Sequence, residues 1–291
     1  MAHSVWIGDR TLGEGEPCYL VAEIGINHNG SIESAKQLID IAHSCGFDAV
    51  KFQKRTAELC VPPSQRDKMR ETPWGYISYM EYRAHVEFEE DEYSIIDKYC
   101  KDIGIDWFAS AWDTEALAFL EKFDPICVKL PSALTTNLKM VEAANATGRT
   151  VFLSTGMTEM EEIERAVALV DQDRLMLAHC TSTYPCPLDE LNLRMISSLR
   201  NKFDCAIGYS GHEVGLQTSV VAVGLGASFI ERHITLDRAL WGSDQSASIE
   251  PVGMKKLVEA IRSVETAMGD GTKRVYPSER HAMERLKMPV Q

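Results

Sequence analysis

Eight times along this chain a short β-rich run is followed by a loop and then by a stretch with helical apolar spacing. Such alternation demands parallel strands joined by crossover helices, and eight units in one chain favour a closed barrel over an open sheet. The strand runs fall at 19–24, 49–52, 106–109, 126–130, 150–153, 175–178, 205–207 and 228–232. Helical spacing follows at about 31–45, 89–103, from 114, 138–146, 160–170, 190–200, 214–223 and 253–268. Gly46, Gly104, Gly148 and Gly226 each stand between a helix and the next strand, where a left-handed cap is expected. The predicted fold is thus α/β, a single (β/α)8 barrel over residues 1–291. A short N-terminal β-hairpin (within about 1–18) lies across its bottom, and a charged tail (about 269–291) follows.

Composition narrows the partners. The 30 basic and 43 acidic residues leave a net charge of −13, which disfavours nucleic acid. No apolar run reaches membrane-spanning length. The first 15 residues show no export signal, so a cytoplasmic setting is expected. The eight cysteines form no CxxC pair and read as reduced, mostly core-filling thiols. An anionic substrate would therefore require a local cationic cluster set against the global field.

Barrel active sites lie at the C-terminal ends of the strands. Polar residues concentrate there: Glu23, Lys51 and Gln53, Ser110, Lys129 and Ser132, Ser154 and Thr155, His179 and Thr181, Ser210 and His212, Glu231 and His233. Lys51 and Lys129 sit in apolar strand sequence. Each is either paired with Glu23 or Glu231 or aimed at an anion, and two such lysines beside several hydroxyls favour a phosphate and carboxylate site. His212 and His233 follow adjacent strands. Two neutral imidazoles there suit a divalent first-row metal; hydrogen-bonded structural histidines are the alternative. His179 and Cys180 read as supporting or core residues. The stretch 54–80 is too long for a simple connector. Its aromatics, with Trp74, Tyr76, Tyr79 and Tyr82 in or just after it, read either as packing or as a substrate lid. Asn27-His28-Asn29-Gly30 reads as a turn into a helix capped by Ser31, rimming the site.

Taken in order, several segments resemble N-acetylneuraminate (sialic acid) synthases. They are Ala22-Glu23-Ile24-Gly25-Ile26-Asn27-His28-Asn29-Gly30, Ala49-Val50-Lys51-Phe52-Gln53, Ser154-Thr155-Gly156-Met157, His179-Cys180-Thr181 with Tyr184-Pro185, Gly208-Tyr209-Ser210-Gly211-His212 and Glu231-Arg232-His233. The resemblance implies a barrel that condenses phosphoenolpyruvate with N-acetylmannosamine or a related sugar aldehyde, with C–O cleavage and phosphate release. It implies a metal, Mn2+ or Mg2+, on His212 and His233. Lys51, Lys129, Ser110, Ser132, Ser182 and Ser210 would surround phosphoenolpyruvate, Gln53, Tyr184 and Asp244 would meet the sugar, and Glu23 would lie near the reacting carbons. A homodimer is implied as well.

The sequence departs from the family pattern in three places. Typical members carry a C-terminal antifreeze-like domain that lends an arginine to the partner's sugar, whereas this sequence ends at Gln291 without one. Ser132-Ala133-Leu134 stands where Ser-Gly-Glu is usual, and Leu134 offers no acceptor to a sugar hydroxyl. Ser182 stands where Asn is common. The phosphoenolpyruvate half is expected intact and the sugar half altered. Other readings are a synthase acting on a different aldose or a sugar phosphate, a pyruvate aldolase, and a non-catalytic sugar-acid-binding barrel.

Overall fold

The computed structural model describes residues 4–288. In chain order, β1 (Val5–Ile7) and β2 (Arg10–Leu12) pair antiparallel, then β3 (Tyr19–Gly25), α1 (Ile32–Cys45) and β4 (Ala49–Lys54) begin the βα repeat. A long excursion follows: α2 (Ala57–Cys60), α3 (Pro63–Arg66), the hairpin β5 (Met69–Thr72) and β6 (Gly75–Ser78), and α4 (Tyr79–Val86). The repeat resumes with α5 (Glu90–Ile103), β7 (Asp106–Ala111), α6 (Thr114–Leu120), β8 (Val128–Leu130), α7 (Leu138–Ala146), β9 (Val151–Ser154) and α8 (Met160–Val167). It ends with β10 (Leu175–His179), α9 (Met195–Lys202), β11 (Ala206–Gly211), α10 (Gln217–Gly224), β12 (Phe229–His233), α11 (Pro251–Met268) and the exposed α12 (Arg280–Leu286). β3, β4 and β7 to β12 close an eight-stranded parallel barrel, with β12 paired to β3. The (β/α)8 barrel expected from the repeat is the fold observed.

The four predicted cap glycines all have positive φ, between 76° and 93°. Two helices start later than the spacing predicts. α9 opens at Met195 rather than near 190, because residues 188–190 make a 3-10 turn and Asn192 turns left-handed at φ 43°. α10 opens at Gln217 rather than 214, after Gly215 at φ 105°. β8 is shorter than the run 126–130.

Strand alternation divides the core into two shells. Outward residues such as Leu20, Val50, Leu130, Leu153, Leu177 and Ile230 pack under the helices. Inward residues fill the barrel: Tyr19, Val21, Ala49, Phe108, Cys127, Phe152, Met176, Ala206 and Phe229, with Val5, Ile7 and Leu12 of the hairpin below them. Phe152 and Phe229 meet edge to face at 4.9 Å. A Cβ at Gly208 would lie 2.4 Å from the Phe229 ring, so that position must be glycine for the ring to fit. Above this apolar floor the inward positions turn polar. The same period of two that buries Val21, Ala49, Phe108, Cys127, Phe152 and Phe229 therefore points Glu23, Lys51, Ser110, Lys129, Ser154 and Glu231 into the mouth.

Candidate active site

A cavity of about 240 Å3 lies at the top of the barrel. Glu23, Lys51, Gln53, Ser110, Lys129, Ser132, Ser182, Tyr184, Ser210, His212 and His233 line it, so eleven of the twelve site residues read from the sequence meet in one place. The twelfth, Asp244, lines an adjoining outer chamber that shares Gln53, Trp112 and Tyr184 with the first. Its Oδ2 lies 3.8 Å from Nδ1 of His233.

The first reading of the lysines, pairing with Glu23 and Glu231, is the one observed. Lys51 Nζ donates to Ser110 Oγ at 3.0 Å and pairs with Glu23 at 3.0 Å and Glu231 at 3.5 Å. Lys129 donates to Ser154, pairs with Glu231 at 3.7 Å and stands 3.5 Å over the Phe152 ring. Burial pulls the Lys129 ammonium down to about 8 against the pull of Glu231. For Lys51 burial also acts downward, but Glu23 and Glu231 outweigh it and raise it. The two carboxylates are pushed apart. Burial raises Glu23 above the usual range despite Lys51, whereas Lys129 and Lys51 overcome burial at Glu231 and hold it well below. Gln53 donates to Glu23 Oε1 at 2.8 Å and Ser210 to Glu231 Oε1 at 3.0 Å, so each carboxylate is oriented by a neutral donor.

Beside the lysines is a small seat of donors. The backbone N–H of Gly156 donates to Ser132 Oγ at 3.0 Å, and Cys180 Sγ lies 3.1 Å from the same hydroxyl. A Cβ on residue 156 would stand 2.2 Å from Ser182 Oγ and 2.8 Å from Ser132 Oγ, so only glycine lets these hydroxyls converge. Ala133 lines the cavity, while Leu134 packs against the outer core.

The histidine pair fits a metal. The rings are 5.6 Å apart, with Tyr184 4.0 Å from His212. His212 Nδ1 faces the Thr181 carbonyl at 2.7 Å; donating to it leaves Nε2 as the free acceptor. Burial, then the neighbouring His233, pull the His212 imidazole down to about 4, so it is neutral at physiological pH. His233 Nδ1 is buried without a hydrogen-bond partner. No cluster of three or more His, Cys, Asp or Glu suited to a metal occurs among the described residues.

The NeuB family matches residues 38–273, more than half of the chain. The chain belongs to the NeuB family. It is 39% identical over 286 residues to the human N-acetylneuraminate-9-phosphate synthase, covering 97% of this chain and 79% of that protein. It is 32% identical to the N,N'-diacetyllegionaminic acid synthase of Legionella pneumophila, over 94% of this chain and 79% of that one. The crystal structure of the N-acetylneuraminic acid synthetase of Leptospira borgpetersenii serovar Hardjo-bovis, in complex with citrate, superposes with a TM-score of 0.86 at 30% identity, covering 98% and 96% of the two chains. The expectation of a phosphoenolpyruvate-dependent enzyme of the sialic acid synthase type therefore holds. No helix among the described residues is long and apolar enough to cross a membrane.

In this NeuB-family chain some site features escape a reading by strand ends. Trp112 lines both chambers, just past the end of β7. Arg55, Arg70, Arg83 and Trp241 wall the outer chamber, and two of the arginines come from the long excursion. That excursion is both packing and wall: Trp74, Ile77 and Tyr79 pack with Ile26, Tyr82 and Trp241, and Tyr79 and Tyr82 also face the chamber. Tyr76 is exposed. Asn27 donates to the Ile234 carbonyl and Asn29 to that of Trp241, so the turn after β3 ties down the rim while Ile26 lines it. His179 points outward to the Leu191 carbonyl at 2.7 Å and plays the supporting part expected of it.

Arg232, within the Glu231-Arg232-His233 motif, has a structural part that the motif does not announce. It lies between Glu231 and His233 but faces away from the cavity, fully buried. It donates to Glu213 Oε1 at 2.9 Å, Ser219 Oγ at 2.8 Å and the carbonyls of Gly215 and Glu213. Tyr209 and Thr218 hold the same carboxylate. This knot pins the loop after β11, which carries His212.

Proposed function

We propose that the chain condenses phosphoenolpyruvate with an N-acetylmannosamine-like sugar aldehyde, releasing phosphate and giving a sialic-acid-like nonulosonic acid. One observation carries the reading: two buried lysines, converging serine hydroxyls, two carboxylates of opposite tendency and a histidine pair share one 240 Å3 cavity. That volume lies below the range of roughly 300–1,000 Å3 usual for drug-sized ligands, and it suits a three-carbon phosphate with the sugar entering from the outer chamber.

Lys51 and Lys129 neutralise the carboxylate and phosphate of phosphoenolpyruvate, and Ser110, Ser132, Ser182 and Ser210 satisfy the remaining oxygens. Gln53, Tyr184 and Asp244 orient the sugar so that its aldehyde lies beside C3 of the enol. C3 attacks the aldehyde carbon, a C–C bond forms, and the aldehyde oxygen takes a proton. C2 gains positive character beside Glu231, which stays ionised. Water adds at C2 and loses a proton to Glu23. The C2–O bond of the resulting hemiketal phosphate breaks, phosphate leaves, and loss of the hydroxyl proton yields the 2-keto acid. His212 and His233 would hold a divalent metal, Mn2+ or Mg2+, which would supply Lewis-acid polarisation of the aldehyde. The same reading has the chain act as one catalytic barrel, paired as a homodimer, in the cytoplasm.

The test is inorganic phosphate release from phosphoenolpyruvate and Mn2+ across a panel of N-acetylmannosamine, diacetamido sugars, plain hexoses and their phosphates. Release that depends on the sugar and stops with a chelator supports the reading; sugar-independent release refutes it. Glu23→Gln is expected to lower turnover by at least ~100-fold while changing phosphoenolpyruvate affinity far less. An equal loss in both would assign Glu23 to binding alone.

A further inference from the structure

Cys180 follows the last residue of β10 and lines the reaction cavity, yet the chemistry above makes no use of its thiol. Only 5% of the residue is exposed. Its sulfur closes a triangle with Gly156 and Ser132. The Gly156 N–H points to Ser132 Oγ at 3.0 Å and to Cys180 Sγ at 3.1 Å, and the two side chains lie 3.1 Å apart. A Cβ on residue 156 would stand 3.2 Å from this sulfur and still closer to the Ser132 and Ser182 hydroxyls. The missing side chain of Gly156 is thus what lets the triangle close.

The triangle gives each proton a direction. The Gly156 N–H can only donate. Burial raises the Cys180 thiol above its ordinary value, against the pull of Ser132, Lys129 and Gly156, so it keeps its proton at neutral pH. Sulfur is the weaker acceptor and already receives Gly156, whereas a hydroxyl oxygen has two lone pairs. The S–H therefore donates to Ser132 Oγ. Ser132 then accepts twice, and its own O–H is the one proton of the triangle left to face the cavity. A hydroxyl free to turn would offer an anion a lone pair as readily as a proton, and an anion accepts only the proton. A thiol imposes that direction without adding charge to a cavity that already holds two lysines and two carboxylates.

We propose that Cys180 is a positioning residue whose thiol holds the Ser132 hydroxyl as a donor aimed at an anionic oxygen of bound phosphoenolpyruvate. It acts through Ser132 and forms no covalent bond to the substrate. The inference rests on the synthase reading for the identity of the ligand.

The test is calorimetric titration of phosphoenolpyruvate, without sugar, into the intact protein with Mn2+ present. Cys180→Ala is expected to weaken binding by ~10-fold, and Cys180→Val, which keeps the volume without a donor, by as much. Cys180→Ser restores a donor and an acceptor and is expected to bind within ~3-fold of the wild type. In a Ser132→Ala background Cys180→Ala is expected to cost less than ~2-fold, because no hydroxyl remains to be oriented. Thermal melting checks that each variant is folded, and Cys180→Val decides the matter if the alanine variant is not. A packing role would spare Cys180→Val, or cost the same with and without Ser132, and either result overturns the proposal. So does Cys180→Ser that binds no better than Cys180→Ala. The expected pattern of binding, without phosphate release from any sugar, would keep the positioning role and refute the synthase; wild-type protein that binds no phosphoenolpyruvate would refute both.

Discussion

Exchanging His233 for alanine will cut sugar-dependent phosphate release by at least ~1,000-fold, the scale of several kcal/mol of lost charge stabilisation. His212→Ala will do the same. Both rings border the cavity, His212 is held neutral by burial, and His233 carries a buried nitrogen that nothing in the protein satisfies. A structural histidine would spend that nitrogen on a hydrogen bond, as His179 does on Leu191. The readout independent of activity is Mn2+ titration followed by electron paramagnetic resonance. Bound Mn2+ is expected in the wild type and largely absent from both variants. Variants that bind Mn2+ as the wild type does would return the pair to a structural part.

Arg232→Met will destabilise the fold by ~3–5 kcal/mol, because it leaves the fully buried Glu213 carboxylate without its cation. For a chain of this size that corresponds to a melting temperature lower by roughly 5–8 °C. Replacing both Arg232 and Glu213 by methionine is expected to cost less than the sum of the single changes, since no lone charge then remains. Thermal melts of the two single variants and the double variant make the check. Additive losses would mean that the two side chains act separately. Because Glu213 follows His212 directly and Arg232 precedes His233, the destabilised variants are also expected to bind Mn2+ more weakly.

Much of this site could be read from strand order alone, for a physical reason. Inward positions recur every second residue, and the point where they turn from apolar to polar marks the mouth of the barrel. Val21 to Glu23, Ala49 to Lys51, Phe108 to Ser110 and Cys127 to Lys129 each show that step, and all four polar residues line the cavity. Such reasoning depends on regular strands, so it fails where backbone is irregular. Arg70 and Arg83 arrive from a hairpin and a helix outside the repeat, and no periodicity announces that either faces the site. Asp244 lies just before a 3-10 turn in the β12–α11 connection, and its membership came from resemblance rather than pattern. Arg232 was visible but mute: alternation sends it outward, and only the fold reveals that its partner sits in the loop that carries His212. The late starts of α9 and α10 have a similar origin, since a left-handed Asn192 and Gly215 interrupt apolar spacing that reads as continuous helix.

In the proposed reaction the bond broken in phosphoenolpyruvate is C2–O, after carbon–carbon coupling. Phosphoenolpyruvate labelled with 18O in the bridging position tests it directly, with the accepted sugar, Mn2+ and mass analysis of the phosphate released. The label is expected to leave with phosphate, and the nonulosonic acid to form in equal amount. Unlabelled phosphate, with the 18O kept on the carbon product, would mean P–O cleavage and would contradict the mechanism derived from this site.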